Sequence, residues 1–347
     1  MDVRQAMAAA IALARDAMPH PNPRVGAIVL DRKGEVAGRG FHAGPGTPHA
    51  EALALEEAGQ RAAGGTVVAT LEPCNHHGRT PPCTEAIVAA GVARVVVGAV
   101  DPDARVSGSG VAALRAAGIE VVTGVEAEAA EALDPGYFHH RRTGRPLVTL
   151  KVASTLDGQV AAADGTSRWI TAEEARRDGH LLRSRSDAVM VGAGTVLADA
   201  PGLDVRLDGY AGRQPAPVVV AGRRSIPPDR RVLGRGAVVF APTAAMTGAV
   251  VLPGAGGVDL AAAMDHLGSL GIVDVMVEGG PTLAAALLRE GLVDRLVVYL
   301  AARLGGGVGR PAFEGRFATL GDSVEVEIVD VVRLGADVRV TCERVSR

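Results

Sequence analysis

Short runs of Val, Ile and Ala recur along this chain at the length of single strands, separated by stretches with helical spacing. Residues 25–30 (VGAIVL), 66–71 (TVVATL) and 94–100 (RVVVGAV) read as strands, and 49–63, 84–91 and 109–117 as the helices between them. Such apolar runs fit strands covered on both faces, as in the parallel sheets of α/β proteins. A layered α/β architecture with largely parallel strands is predicted. The run "DPGYFHHRRTGRP" (134–146) breaks the pattern with Pro, Gly and charge. A domain boundary is placed there, giving domains 1–143 and 144–347, and His139, His140, Arg141 and Arg142 read as a solvated linker rather than a metal or phosphate cluster. A length of 347 residues suits two domains, at roughly 150 residues each.

The second half restarts with a strand at 147–155 (LVTLKVAST). Further strands are predicted at 187–192, 217–221, 237–240, 273–277 and 295–300, and helices at 172–185 and 281–290. The closing stretch "SVEVEIVDVVRLGADVRVTCERV" alternates polar and apolar residues and reads as a hairpin. The second domain is therefore expected to be α/β with an antiparallel tail.

Composition narrows the function. A net charge of −3 provides no basic face for nucleic acid, and aromatic residues at 3% provide no stacking platform for single strands. The N-terminal stretch carries Arg4, Gln5, Arg15 and Asp16 among apolar residues at helical spacing, so it reads as an amphipathic helix and not as a signal or membrane segment. Three cysteines, Cys74, Cys83 and Cys342, make no disulfide framework. A reducing, cytoplasmic setting is expected, where neighbouring Cys and His suggest metal.

"HAEALALEEAG" (49–59) opens a predicted helix with His49 and, two residues on, Glu51. Downstream, "TLEPCNHHGRTPPCTE" (70–85) ends a strand at Glu72, opens a loop at Pro73-Cys74 and starts another helix at Cys83. One histidine and two cysteines are a set that Zn²⁺ binds tetrahedrally, with the fourth position left to water in a catalytic site. His76 or His77, close to Cys74, could instead fill that position and make the metal structural. Glu51 speaks for catalysis. Zinc lowers the pKa of its water to about 7, and an adjacent carboxylate can take that proton and hand it to a leaving amine. The pattern H-x-E followed by P-C-x-x-C marks zinc deaminases. His49-Ala50-Glu51 and Pro73-Cys74 match it, but eight residues separate the two cysteines here.

With "HPNPRVGAIVL" and "GFHAGPGTPHAE", the stretch "TLEPCNHHGRTPPC" resembles the deaminase half of the bifunctional riboflavin-biosynthesis deaminase/reductases, and the resemblance covers nearly the whole chain. It implies a cytidine-deaminase-like, three-layer αβα first domain with zinc on His49, Cys74 and Cys83. Glu51 would shuttle protons while hydroxide attacks the amine-bearing C2 of a diaminopyrimidinone ribotide and ammonia leaves. Asn22, in "PNPRVG", would read the base. His42, His76 and Arg79 are either substrate-side groups or loop caps.

The second half has no G-x-G-x-x-G leading into a helix. On its own, "GAGTVLAD" (192–199) reads as a tight strand-to-loop turn. "VEGGPTLAAALL" (277–288) reads equally as a plain βα turn or as a helix start suited to phosphate. However, "LKVASTLDGQVAAADGTSRWIT", "VGAGTVLADAPGLDVR" and "VEGGPTLAAALLREGLVD" resemble the reductase half of the same family. That half implies a dihydrofolate-reductase-like α/β fold that binds NADPH without the Rossmann motif. Ala153, Trp169, Thr195 and Asp199 would then touch the cofactor. Gly280, Pro281, Thr282, Leu283, Ala284, Ala285 and Ala286 would hold its phosphates. Ser167, Arg183, Leu203, Arg206 and Glu278 would hold the substrate, with Arg183 and Arg206 suited to its phosphate. Lys151 is assigned to the sugar near C1′, where NADPH would deliver hydride and turn ribosyl into ribityl. Two places depart from the family pattern: Ala221-Gly222 stands for the usual Asp-Ser, and Ala302-Arg303 for Pro-Lys. The resemblance further implies a homo-oligomer, a dimer or tetramer joined through the second domain.

Overall fold

In the computed structural model, residues 1–77, 81–103, 106–314 and 319–345 are described. The chain divides into two units, Met1–Thr143 and Gly144–Arg347. The first contains α1 (Val3–Ala14), β1 (Gly26–Leu30), β2 (Val36–Phe41), α2 (Ala50–Ala58), β3 (Thr66–Leu71) and α3 (Cys83–Ala89). It continues with β4 (Arg94–Ala99), α4 (Ser109–Ala116), β5 (Glu120–Thr123), α5 (Ala127–Glu131) and α6 (Pro135–Thr143). Its sheet runs β2-β1-β3-β4-β5.

Only β3–β4 and β4–β5 pair in parallel. β1 is antiparallel to both neighbours, so the expectation of largely parallel strands fails at this edge. The physical reason is the turn after β1: the Asp31 carboxylate accepts from the N–H groups of Lys33 and Glu35, and Gly34 supplies φ +76°. The chain therefore returns as a hairpin. Helix α1 packs Met7, Ala10 and Ile11 with Ile28, Val68 and Val96. Ala50, Ala54 and Ile87 of α2 and α3 pack with Ala27, Val29, Val67 and Val97 on the other face. The result is the expected three-layer αβα sandwich. Alternate strand residues serve opposite faces, which is why these strands read as continuous apolar runs.

The segment predicted as a solvated linker is α6. Tyr137, Phe138 and His140 are buried. Tyr137 and Phe138 join the core, and the Tyr137 hydroxyl donates to the Asp101 carboxylate at 3.0 Å. Charge at 139–142 disguised a helix whose other side is aromatic.

The second unit contains β6 (Leu147–Thr155), β7 (Gln159–Ala161), α7 (Glu173–Arg185), β8 (Ala188–Gly192), α8 (Ala193–Asp199), β9 (Ala216–Val220) and α9 (Arg231–Gly234). Then come β10 (Val238–Ala241), β11 (Val250–Val251), β12 (Pro253–Gly254), β13 (Gly257–Val258), α10 (Leu260–Ser269), β14 (Asp274–Val277) and α11 (Pro281–Arg289). The unit closes with β15 (Arg295–Ala301), β16 (Arg310–Pro311), β17 (Val326–Leu334) and β18 (Asp337–Arg344). Nine strands form one sheet, β11-β10-β9-β8-β14-β6-β15-β18-β17. It is parallel from β11 to β15 and antiparallel at β15–β18 and β18–β17, as the alternating tail predicted. Leu150, Val152 and Val277 face α10 and α11. Val189, Val191 and Met276 face the side of α8, and Val297 and Tyr299 pack against Ala175 of α7. Residues 193–199, read as a turn, are the helix α8. Among the described residues, no helix is long and apolar enough to cross a membrane.

Candidate active sites

In the first unit, two glycines set the start of α2. A Cβ at Gly40 would lie 2.1 Å from the Ala50 carbonyl oxygen, and one at Gly38 would lie 2.0 Å from that of Ala54. Bare backbone therefore lets α2 lie flush on β2, with His49 at its N-cap. Glu72 holds the opposite side. Its buried carboxylate accepts from the N–H groups of Asp101, Gly108, Gly110 and Val111 at 2.9–3.2 Å. The strand end from which Pro73 and Cys74 emerge is thereby anchored to the start of α4. Sequence reading took Glu72 only as the end of a strand; its place beside Pro-Cys is explained by this anchor.

These elements bring His49, Cys74 and Cys83 together, with one donor atom from each lying within 4.8 Å of the others. His49 Nδ1 is 3.2 Å from Cys83 Sγ and 3.5 Å from Cys74 Sγ. Ligands of one tetrahedral zinc, at about 2.0 Å for nitrogen and about 2.3 Å for sulfur, are separated by about 3.5 Å, so the donor set fits that ion. The Cys83 N–H donates to Cys74 Sγ at 3.3 Å. Hydrogen bonding from Cys83, then from His49, lowers the Cys74 thiol to about 4. That favours the thiolate a metal needs. Neither His76 nor His77 joins the donor group. Both are exposed, and His77 Nε2 instead lies 3.1 Å from Glu85 Oε1.

Glu51 is buried on the first turn of α2, and burial pushes its carboxyl up to about 7. His42 is also buried, with its ring 5.1 Å from that of His49. His42 Nδ1 lies 3.2 Å from the Pro48 carbonyl, which can only accept. Burial disfavours the charged ring, so Nε2 is left as an acceptor, and Asn22 Nδ2 donates to it at 2.8 Å. This fixes which way the Asn22 amide points. The Asn22 loop is tied down by the Arg24 N–H on the Asp134 carboxylate. Arg79 lies outside the described residues.

The second candidate site lies at the carboxyl ends of the parallel strands of the second unit, where α/β sheets bind ligands. Arg183 of α7 donates through Nε to Glu278 Oε1 and through Nη2 to Oε2 at 2.9 Å, while its Nη1 holds the Asp204 carbonyl at 2.9 Å. Burial opposes the charged carboxylate, but Arg183 and then Lys151 outweigh it, and Glu278 is held at about 2. Arg183, assigned by resemblance to a phosphate, is thus already paired with a second assigned residue. Arg206 is exposed, ion-paired to Asp204 at 3.3 Å, and its N–H donates to His180 Nδ1 at 3.2 Å. Burial, then Arg183 and Arg206, lower His180 to about 4. Leu203 is buried with φ +55°, so its backbone is the part left to meet a ligand.

Thr195 on the first turn of α8 faces the start of α11: its Oγ1 is 3.8 Å from where a Cβ on Gly280 would sit. Among the residues from Gly280 to Ala286, Pro281, Leu283, Ala284 and Ala285 are buried, so this turn offers backbone N–H groups and the Thr282 hydroxyl. Trp169 is 59% exposed, with the Arg176 guanidinium stacked 4.7 Å from its ring centroid. Its neighbour Arg168 donates to the Asp199 carbonyl at 3.3 Å, which links the Trp169 loop to the end of α8. Ser167 and Trp169 help line a cavity of about 280 Å³ with Thr155, Gln159 and Arg303. Lys151 and Ala153 share the face of β6 that looks toward α7, opposite Leu150 and Val152. Sequence reading missed Asp178, His180 and Tyr299. The signal was present for Asp178, which falls with Gly179 in the stripe Ala175, Asp178, Gly179, Leu182, the spacing of a buried helix face.

Comparison with known proteins agrees with this geometry. Residues 146–340 match the RibD C-terminal domain family. Residues 1–99 match the cytidine and deoxycytidylate deaminase zinc-binding region. Riboflavin biosynthesis protein RibD of Escherichia coli K12 is 41% identical over 344 residues, covering 92% of each chain. RibD of Aquifex aeolicus is 39% identical over 351 residues, covering 97% of each. Among solved structures, Acinetobacter baumannii RibD superposes with TM-score 0.91 at 38% identity over 99% of both chains. A diaminohydroxyphosphoribosylaminopyrimidine deaminase/5-amino-6-(5-phosphoribosylamino)uracil reductase from Thermotoga maritima does so with TM-score 0.87 at 33% identity, again over 99% of both. With a deaminase zinc region at one end and a RibD reductase domain at the other, the chain belongs to the RibD family of bifunctional deaminase/reductases of riboflavin biosynthesis.

Proposed function

We propose that residues 1–143 deaminate 2,5-diamino-6-ribosylamino-4(3H)-pyrimidinone 5′-phosphate and that residues 144–347 reduce the product with NADPH to 5-amino-6-(5-phosphoribitylamino)uracil. The observation that carries the reading is the meeting of His49, Cys74 and Cys83 beside the buried Glu51. His49, Cys74 and Cys83 would hold zinc, which when bound supplies the acidity that makes water a nucleophile near neutral pH. Glu51 takes the proton of the attacking water and returns it to the amine that leaves C2 as ammonia. Asn22, oriented by His42, presents its carbonyl oxygen and remaining N–H to the base.

In the second unit, Thr195, the turn from Gly280 to Ala286, Trp169, Asp199 and Ala153 would receive NADPH, which supplies the hydride when bound. Lys151 faces the sugar carbon that accepts it. Glu278, Ser167, Arg206 and the Leu203 backbone orient the ribotide, and Arg183 holds Glu278 in place. The exposed edge strand β17, with Ile328 and Val331 about 60% exposed, supports pairing of two copies through this unit. All three cysteines are free, which supports a cytoplasmic setting.

The test follows ammonia and NADPH in one cuvette after the zinc-loaded protein meets the diaminopyrimidinone ribotide. Ammonia followed by NADPH loss is expected. Ammonia without NADPH loss would remove the reductase from the proposal, and neither signal would remove both halves.

A further inference from the structure

Among 36 lysines and arginines, only Lys33 and Lys151 are lysines. A sequence that otherwise writes its cations as arginine keeps an ammonium at position 151. Guanidinium is planar and stays charged, whereas an ammonium is a compact point charge. The surroundings of Lys151 are built for such a point. Its Nζ lies 5.5 Å from the centroid of the Tyr299 ring, within cation–π range. Glu278 directly follows Val277, the register partner of Leu150, and the Lys151 charge helps keep that carboxylate ionised.

The Tyr299 ring is itself held. It is 1% exposed, and its hydroxyl donates to Asp178 Oδ2 at 2.6 Å. Asp178 also accepts from Arg339 Nη1 at 3.0 and 3.1 Å, and Arg339 Nη2 holds Asp330 at 2.9 Å. Tyr299 is the register partner of both Ala153 on β6 and Arg339 on β18, so the aligned strands set the ring beside Lys151. Helix α7 closes the slot: next to Asp178 is Gly179, where a Cβ would only just touch Lys151 Cε at 4.0 Å. A buried tyrosine hydroxyl needs a partner in any case; what packing alone does not require is the Lys151 cation on the ring face.

We propose that Tyr299 and Asp178 are positioning residues of the reductase: the tyrosine ring, anchored through its hydroxyl to Asp178 and Arg339, seats the Lys151 ammonium beside Glu278. This rests on Lys151 acting in the reductase site. Ground-state and transition-state contacts both depend on that placement, and a displacement of about 1 Å can cost on the order of a hundredfold in rate.

The two-lysine composition makes the test direct. Full-length protein labelled with ¹³Cε-lysine shows two lysine signals, and a ring current from Tyr299 moves the Lys151 Hε protons upfield of those of Lys33. Tyr299→Leu is expected to abolish that displacement and lower kcat for NADPH oxidation with supplied deaminated ribotide by about tenfold or more, with KM for NADPH little changed. Tyr299→Phe, which keeps the ring and folds more readily, is expected to reduce the displacement and fall between wild type and Tyr299→Leu in kcat. Asp178→Asn, which can still accept from the tyrosine, is expected to be milder than Asp178→Ala. A Lys151 signal and kcat unchanged in Tyr299→Phe and Tyr299→Leu would overturn the inference, as would loss of melting temperature alone. Lys151→Ala separates the two layers: if it oxidises NADPH normally, the assignment of Lys151 fails and the inference with it. If Lys151→Ala is inactive while the Tyr299 variants match wild type, only the inference fails.

Discussion

Arg183 of α7 and Glu278 at the end of β14 meet fork to fork, with Nε on one carboxylate oxygen and Nη2 on the other. Both side chains are mostly buried, so neither has solvent to fall back on. Removing one partner of such a pair leaves a stranded charge, and Glu278→Gln should cost about 3 kcal/mol. The pH dependence has a definite sign. Glu278 is depressed from its ordinary value of 4.5 to about 2, so its contribution is fully present above 4.5 and is lost as pH falls toward 2. Urea titrations should show a wide stability gap between wild type and Glu278→Gln at pH 6 that closes near pH 2. A gap independent of pH would show that the carboxylate charge is not what stabilises.

Glu51→Gln should end ammonia release, a loss of at least about a hundredfold, and leave reduction of a supplied deaminated ribotide intact. Loss of both activities in a folded variant would contradict two independent sites.

Zinc removal should act in the same selective way. The first unit has two apolar layers that include none of the three metal ligands. A chelator should therefore abolish ammonia release while far-UV circular dichroism at 25 °C stays near that of the holoprotein. Unfolding on chelation would mark the zinc as structural.

NADPH should raise the melting temperature of the second unit, because a ligand that binds only the folded state stabilises it by about 2.7 kcal/mol at a hundred times its Kd. Thermal scans across cofactor concentrations check this. No shift at millimolar NADPH would mean that the cradle of Thr195 and Gly280 holds something else.

Edge pairing through β17 predicts a dimer by light scattering. Val331→Lys places a charge on that edge and should yield monomers, with ammonia release unaffected. An unchanged mass would move the interface elsewhere.

Legibility of the fold followed its physics. Strands buried on both faces announced themselves as apolar runs, so β3, β6 and β8 were readable to within a residue or so. Elements whose role depends on a distant partner were not. Helix α6 hid behind His139 to Arg142 because its buried side is two aromatics and not an aliphatic stripe. Helix α8 is only seven residues long and starts Ala-Gly, too short for periodicity to register. For the sites, His49 and Glu51 became legible only together with Cys74 and Cys83 downstream, as a zinc donor set with a carboxylate beside it. Tyr299 and Asp178 did not, since a tyrosine in a strand and an aspartate in a helix have ordinary reasons to be there until register and packing join them.

The sheet order of the second unit also sets a timetable. β6 is the first strand of that unit to be made, yet it lies in the middle of the sheet between β14 and β15. At about 5–20 residues per second on the ribosome, roughly 8–30 seconds pass between the start of β6 and the end of β15. Until β14 is made, that apolar strand waits with both edges open, and the edge that β15 will cover stays open to the end of the interval, while the first unit already has every strand of its own sheet. Nascent chains halted before residue 274 should accordingly be chaperone clients, and the site around Lys151 is among the last parts of the enzyme to come into being.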